Sequence, residues 1–493
     1  MVNKKKSRGK SQQDQSLSLP LFSVDDCQES IPAAGYRNGT KLNNAGENGN
    51  CWSSTPNESN TNNAYNLNFN SGNFNRDWNN RNNGQSVRPV SELTSTQDCG
   101  IPRFFSLSRQ QLLLDLIRAY KDARKNKRGK AYQLKFEFNL EDNLSALCHE
   151  LFNRTYTPEP STCFIIHDPK MREVFAASFR DRIVHHLFYN YAYEMFERTF
   201  IADSYSCLKN RGAHYGIDRL KHHIRSVSQG HSKPCYVMKI DIRGYFMHIN
   251  RDTLLSLCRN TLEKMRFRKS SNSKRYCECV DFDFLHYLLA CIISTDPTKN
   301  CRILGHKVDW EDLPAEKSIF CSSPGNGLPI GNLSSQLFSN VYLNHLDQFM
   351  KRILKCRHYG RYVDDAYIVA CSRGELKKLV PKIDAFLRNE LKLELNSKKT
   401  QIFNARHGVE FIGAFIKPFR TYPSSSSLRR MMKKTHGLRL RSEDIQPVVN
   451  SYLGMMSHYN CYKLRRVLFG HKLQLGERGN FSRDWLKFTP FGK

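Results

Sequence analysis

The stretch "RYVDDAYIV", residues 361–369, holds two adjacent carboxylates, Asp364 and Asp365, inside a run of apolar and β-branched residues. Such a run favours a buried strand, yet neighbouring acids repel each other and are costly to take out of water. A polar hairpin turn satisfies both demands, and so does a site where cations balance the acids. The alternation in "YGRYVDDAYIVA" reads as two short strands joined by a turn at the acids. A third acid extends the pattern. Asp241 closes an alternating apolar run in "CYVMKIDIRGYF", which puts a carboxylate at the end of another buried strand.

Hard carboxylate oxygens suit Mg²⁺, with Mn²⁺ as an alternative. Two such ions held about 3.5–4 Å apart can activate an attacking hydroxyl and stabilise a leaving phosphate. Phe246 lies five residues after Asp241, where a ring serves equally as core packing or as a wall beside a bound sugar. Between the acids, "GNGLPIGNLSSQLFSNVYLNHLD" opens on a glycine-rich entry that lets backbone approach a ligand, then runs into a helix.

Charge narrows the partners. Lys and Arg number 76 against 46 Asp and Glu, a formal +30. Residues 1–100 carry 10 basic and 9 acidic side chains, so +29 of the excess lies in residues 101–493. That favours a polyanion, because each neutralised phosphate releases condensed counterions. No apolar run reaches the ~18 residues of a membrane span, and "MVNKKKSRGK" lacks the apolar core of a secretory signal. Sixteen cysteines show no repeated C-x2-C spacing, which gives no zinc framework and fits reduced thiols in the cytoplasm.

Helical periodicity begins at "RQQLLLDLIRAYKDARKNKRGKAY" and returns in "NLSALCHELFNR", "DRIVHHLFYNYAYEMFERTF" and "GELKKLVPKIDAFLRNELKLEL". "REVFAASF" reads as extended, "HGVEFIGAFIKP" as a β-hairpin, and the tail from Ser424 as basic helix. No period of 20–50 residues repeats. Helices and strands are mixed without strict alternation, so the expected class is α+β. Residues 1–30 are polar and read as disordered. Residues 31–100 hold an Asn-rich block, with 18 Asn from Asn38 to Asn83.

Taken in chain order, "KIDIRGYF", "GLPIGNLSSQ", "YVDD", "LNSKKT" and "EFIGAFI" resemble the palm motifs of reverse transcriptases. "REVFAASFRDRIVHHL" resembles motifs of their fingers, and the likeness covers about residues 105–470. It implies a right-hand polymerase, with fingers over residues 101–235 and a palm with an antiparallel sheet over 236–420, carrying some fingers-type helical insertion. A short helical thumb over 421–493 completes it. By the same resemblance Asp241, Asp364 and Asp365 would hold two Mg²⁺ ions, Phe246 would gate the sugar, and Gly331 and Gln336 would line the nascent base pair. Lys170, Arg172 and Arg180 would contact the triphosphate of an incoming dNTP. Lys399 would protonate or neutralise pyrophosphate; a solvated charge is the equal alternative. In the thumb, Arg429, Arg430, Lys433, Lys434, Tyr459, Arg465 and Arg466 are candidates for holding RNA template and primer, since basic side chains track phosphates and aromatics stack.

Where many reverse transcriptases read Q-G-x-x-x-S-P, this chain reads "IGNLSSQ", residues 330–336, which is similar to those of diversity-generating retroelements. "YSCLKNRGAHYGIDRLKHHI" and "SYLGMMSHYNCYKLRR" resemble the same group. That resemblance implies error-prone copying opposite template adenines and a small basic accessory protein that forms a ring. The stretch from "IPAAGYRNGT" to "SVRPVSEL" resembles the C-terminal part of C-type-lectin-like domains related to formylglycine-generating enzymes, the usual variable targets of these retroelements. Asn codons begin with two adenines, so residues 31–93 read as a translated template repeat, with an Asn-rich linker as the alternative. The rivals are a retron or phage-defence reverse transcriptase, which should lack such a leader, and a non-catalytic nucleic-acid-binding protein, against which three intact acids stand.

Overall fold

The computed structural model describes residues 104–491 apart from 126–127, 169 and 440–444, together with the strands between Tyr36 and Gln85. Residues 1–30, expected to be disordered, lie outside the described residues. The chain forms two compact units, Met1–Ile101 and Pro102–Lys493.

The first unit carries β1 (Tyr36–Asn38), β2 (Lys41–Asn43), β3 (Gly49–Pro56), β4 (Asn63–Phe69), β5 (Phe74–Asn80) and β6 (Gly84–Gln85). They form two three-stranded sheets, β2-β1-β6 and β3-β4-β5. β4 and β5 pair antiparallel without a slip from Asn63↔Asn80 to Phe69↔Phe74. Asparagine is a poor strand former, but Tyr65, Leu67 and Phe69 supply a period of two along β4.

The second unit mixes helix and sheet. It opens with α1 (Arg109–Arg124), α2 (Ala131–Phe138) and α3 (Leu140–Phe152), then the hairpin β7 (Ser161–Ile166) and β8 (Arg172–Ala176). The long helical run expected from residue 109 to 132 is thus two helices, split at "KNKRGK", where crowded like charges and a glycine oppose helix continuation. Next come α4 (Phe179–Glu197), α5 (Ala213–Val227), β9 (Tyr236–Ile240), the single turn α6 (Tyr245–His248), α7 (Arg251–Met265) and α8 (Phe282–Ser294). After β10 (Cys301–Ile303) and α9 (Leu333–Gln348) stand β11 (Tyr359–Tyr362) and β12 (Asp365–Ala370), two short strands joined at the acids. α10 (Arg373–Leu391), β13 (Gln401–Asn404) and a three-stranded sheet of β14 (Val409–Phe411), β15 (Ala414–Lys417) and β16 (Arg420–Pro423) follow. The expected hairpin at "HGVEFIGAFIKP" is β14–β15. The chain ends in α11 (Ser425–Arg439), α12 (Ile445–Ser457), α13 (Tyr462–Arg465) and the hairpin β17 (Gly479–Phe481)–β18 (Phe488–Pro490). Among the described residues no helix is long and apolar enough to cross a membrane.

The central sheet runs β11-β12-β9-β13, antiparallel throughout. One face, through Met238, Ile240 and Ile368, joins the large core supplied by α4, α7 and α9. The other, through Val237, Tyr367 and Val369, packs with α5 and the β14–β16 sheet. The sheet is therefore fixed from both sides, which is what a site at its strand ends requires. Its far strand, β11, encloses a buried ion pair. Arg361 Nη2 lies 2.7 Å from Asp347 Oδ2 with both side chains 0% exposed. The Tyr359 hydroxyl donates to Asp347 Oδ1 at 2.6 Å, so both carboxylate oxygens are satisfied. Between Tyr359 and Arg361, Gly360 admits no side chain, because a Cβ there would collide with the hydroxyls of Tyr205 and Tyr367.

Candidate active site

Asp365 opens β12 opposite Tyr362, so Val363 and Asp364 form the two-residue turn of the β11–β12 hairpin. Val363 takes φ of +55°. A β-branched residue in the left-handed region is strained, by roughly 1–3 kcal/mol, and persists only where its surroundings over-determine it. Arg361 supplies the restraint: its Nη1 donates to the Val363 carbonyl at 2.8 Å. The buried ion pair and the acidic turn are thus one construction.

Asp241 follows β9, whose last residue Ile240 pairs with Ala366 of β12, so the two acidic strand ends lie side by side. The segment after α10 holds Asp241 in place. Asn396 Nδ2 donates to Asp241 Oδ2 at 2.9 Å, Asn396 N donates to its carbonyl at 2.8 Å, and Lys399 Nζ stands 3.6 Å from Oδ2.

The acids share one field. Burial pushes the Asp364 carboxyl up to about 6, with Asp365 and Asp241 adding to the rise and Arg172 opposing it. Burial also raises Asp365; Lys239, Lys170 and Lys399 pull it down while Asp241 pushes it up. Lys170 lies in the turn of the β7–β8 hairpin and Arg172 opens β8, and both lie near enough to act on the acids. Half-buried, mutually repelling, hard oxygen ligands at adjoining strand ends fit a divalent cation. No ready-made cage exists, however: among the described residues no three His, Cys, Asp or Glu side chains are grouped tightly enough to hold an ion. Asp241 turns its Oδ2 to Asn396 and Lys399.

The glycine-rich entry to α9 is stitched to β8. Phe175 N donates to the Ile330 carbonyl at 2.9 Å, and Ala177 N to Asn332 Oδ1 at 3.1 Å. Gly331 lies between them at φ +129°, with Val174 Cγ1 and the Phe175 carbonyl 2.9 and 3.0 Å from where a Cβ would be, so only glycine fits. Gln336 is exposed in the first turn of α9. Phe246, in α6, is half-buried with its ring 5.2 Å from that of Tyr245, and its carbonyl accepts from Leu328 N at 2.8 Å.

Two basic candidates are occupied internally. Arg180 pairs with Glu150 and Asp181 and donates to the Thr157 carbonyl. Arg465 is buried, and its guanidinium donates to the carbonyls of Met456 and Asp484; it braces the C-terminal helices rather than tracking phosphates. In contrast, Arg429, Arg430, Lys433 and Lys434 form an exposed stripe on α11, whose other side buries Met431 and Thr435. Arg466 is exposed, while Tyr459 is half-buried between two apolar clusters.

Sequence reading missed Lys239, Asn396 and Glu173. The first two sit in the quoted motifs, but their roles depend on strand register. Glu173 is 0% exposed. Its carboxylate accepts from Trp310 Nε1 (2.8 Å), Ser318 Oγ (2.8 Å) and Ile319 N (2.6 Å), tying a distant segment to β8. Nothing in "REVFAASF" marks it, because its partners lie far away in sequence.

Residues 167–416 match the family described as Reverse transcriptase (RNA-dependent DNA polymerase). Residues 21–90 match a family described as a domain of unknown function. Protein YkfC of Escherichia coli (strain K12) is 23% identical over 307 residues, covering 55% of this chain and 70% of its own. The group II intron-encoded protein LtrA of Lactococcus lactis subsp. cremoris is 22% identical over 311 residues, covering 57% of this chain; the match spans only 51% of LtrA. Apo telomerase from Candida tropicalis shares 11% identity over 65% of this chain and 59% of its own, with a TM-score of 0.38, a likeness too slight to rest anything on.

Proposed function

The chain belongs to the reverse transcriptase (RNA-dependent DNA polymerase) family, and from that premise we propose that it copies an RNA template into DNA by adding deoxynucleotides to a primer end. The observation that carries this reading is the shared field of Asp241, Asp364 and Asp365 at adjoining strand ends, faced by Lys170 and Arg172. In this reading residues 236–420 are the palm, 101–235 the fingers and 421–493 the thumb. Asp241, Asp364 and Asp365 hold the divalent ions. A pair of Mg²⁺ ions, or Mn²⁺ in their place, supplies activation of the primer 3′-hydroxyl and charge neutralisation at the leaving pyrophosphate. Lys170 and Arg172 bind the triphosphate, and Lys399 neutralises pyrophosphate beside Asp241. Gly331 and Gln336 line the nascent pair, and the α11 stripe follows the template–primer backbone. Positioning and charge neutralisation are most of what phosphoryl transfer asks of a protein.

Extension of a DNA primer on an RNA template by the full chain, with Mg²⁺ and four dNTPs, tests the reading; a primer left unextended under Mg²⁺ and Mn²⁺ alike contradicts it. Phe246 carries its own test. Its ring closes the space beside the sugar, so Phe246→Ala raises the kcat/KM ratio of ribo- to deoxynucleotide incorporation by about tenfold or more. An unchanged ratio leaves Phe246 as core packing.

The finer reading is a reverse transcriptase of a diversity-generating retroelement, acting with error opposite template adenines and beside a small basic ring-forming protein, with RNA bridging the two. The "IGNLSSQ" turn and the Asn-dense leader support it. The genome tests the leader directly: a near-copy of codons 31–93 differing mainly at adenines should lie nearby. A second reading, that the leader is a domain in its own right, is favoured by its paired strands and by the match over residues 21–90.

A further inference from the structure

We infer that the groove between α10 and β13 is a docking site for an extended acidic peptide segment of a partner protein, which adds a fifth strand to the central sheet. β13 is the last strand in the order β11-β12-β9-β13. Ala405 N donates to the Cys235 carbonyl at 2.9 Å, and β13 pairs with β9 in unbroken antiparallel register. Backbone groups alternate sides along a strand, so Gln401 and Phe403 face β9 while Ile402 and Asn404 turn their N–H and C=O outward. Over this edge lies a cavity of about 700 Å³, with apolar walls that include Met238, Val380, Leu395, Ile402 and Phe403.

Each wall departs from regular hydrogen bonding. Pro381 sits inside α10 and has no N–H to give the carbonyl of Lys377, one turn earlier. Across the groove, Thr400 Oγ1 is shut away from solvent without a partner. The rim is cationic. Arg388 is taken up by Asp384 and Glu394, at 2.9 Å each, but Arg373 and Lys377 are exposed. Positive charge beside an open edge discourages pairing with another copy of a +30 chain and favours an acidic strand. Nucleic acid would answer the charge but would leave the strand edge unpaired; β-augmentation answers both. The occupant would rest on residues 395–401, the segment whose Asn396 and Lys399 contact Asp241. The inference does not require the polymerase reading.

The test uses the full chain without nucleotide and a fluorescein-labelled, blocked hexapeptide of alternating Glu and Val, with alternating Lys and Val as the control. Anisotropy should show saturable, salt-weakened binding of the acidic peptide alone. Binding should fall about tenfold or more in the Arg373→Glu/Lys377→Glu double variant and in Ile402→Pro. The latter removes only an outward N–H, a substitution that edge strands tolerate. Hydrogen exchange at the Ile402 and Asn404 amides should slow in the complex. If Ile402→Pro fails to fold, as judged by its melting curve, the exchange measurement and the charge variant decide. No saturable binding, equal binding of the lysine peptide, or unaltered exchange at Ile402 overturns the proposal. Displacement of the peptide by single-stranded RNA with no protection at Ile402 assigns the groove to nucleic acid and overturns it too.

Discussion

With alanine at both Asp364 and Asp365, RNA-templated primer extension falls by at least ~10³-fold, equivalent to ~4 kcal/mol or more of transition-state stabilisation. Both acids sit at the mouth of one hairpin, and Asp241 is already engaged by Asn396 and Lys399. The remaining carboxylate cannot supply the ligands alone. Steady-state extension under Mg²⁺ measures the loss, and persistent synthesis would contradict the assignment. The same residues should behave oppositely in stability. A carboxyl whose folded pKa is raised, as at Asp364, binds its proton more tightly in the folded chain than in the unfolded one. It therefore subtracts stability as pH climbs from about 4 to about 6, and the subtraction stays in place above that. Asp364→Asn should melt higher than wild type at pH 7 without added metal, and the advantage should vanish below pH 4. Added Mg²⁺ should raise the melting temperature of wild type more than that of the variant.

Arg361→Met lowers the folding free energy by ~3–5 kcal/mol, because it strands the Asp347 carboxylate in a site with no access to water. Urea denaturation measures this, and a loss under ~1 kcal/mol would show that Asp347 finds another partner. The effect reaches the site as well. Without Arg361 Nη1 on its carbonyl, Val363 has less to hold it at positive φ, and Asp364 follows it in the chain. Adding Asp347→Asn should recover part of the stability, since a neutral amide is cheaper to bury, yet leave extension impaired because the turn restraint is still missing. That split separates a structural pair from a positioning one.

Much of this was readable in the sequence, and the limits are physical. The β11–β12 turn announced itself because adjacent acids in an apolar run have few solutions. Helices α1, α3, α4 and α10 followed from three- and four-residue spacing, except where "KNKRGK" interrupts the first run, whereas α5, α7 and α8 were not read from the sequence. The internal partners of Arg180 and Arg465 could not be read, because a cation's role depends on what lies opposite it, and neither Glu150 nor the Asp484 carbonyl is marked by any motif. Glu173 was invisible for the converse reason: its donors come from residues 310–319, and only the fold assembles them. Local pattern speaks for backbone, whereas burial and pairing of charge belong to tertiary structure.

The strand order of the central sheet also governs how the protein is made. β9 carries Asp241 at its end, yet both of its neighbours arrive late: Ile240 pairs with Ala366, and Met238 with Ile402. During synthesis the ribosome therefore releases a strand with two bare edges and must deliver residue 404 before both are covered. A nascent chain stalled before residue 365 has no assembled acids, and β9 keeps one bare edge until β13 closes in.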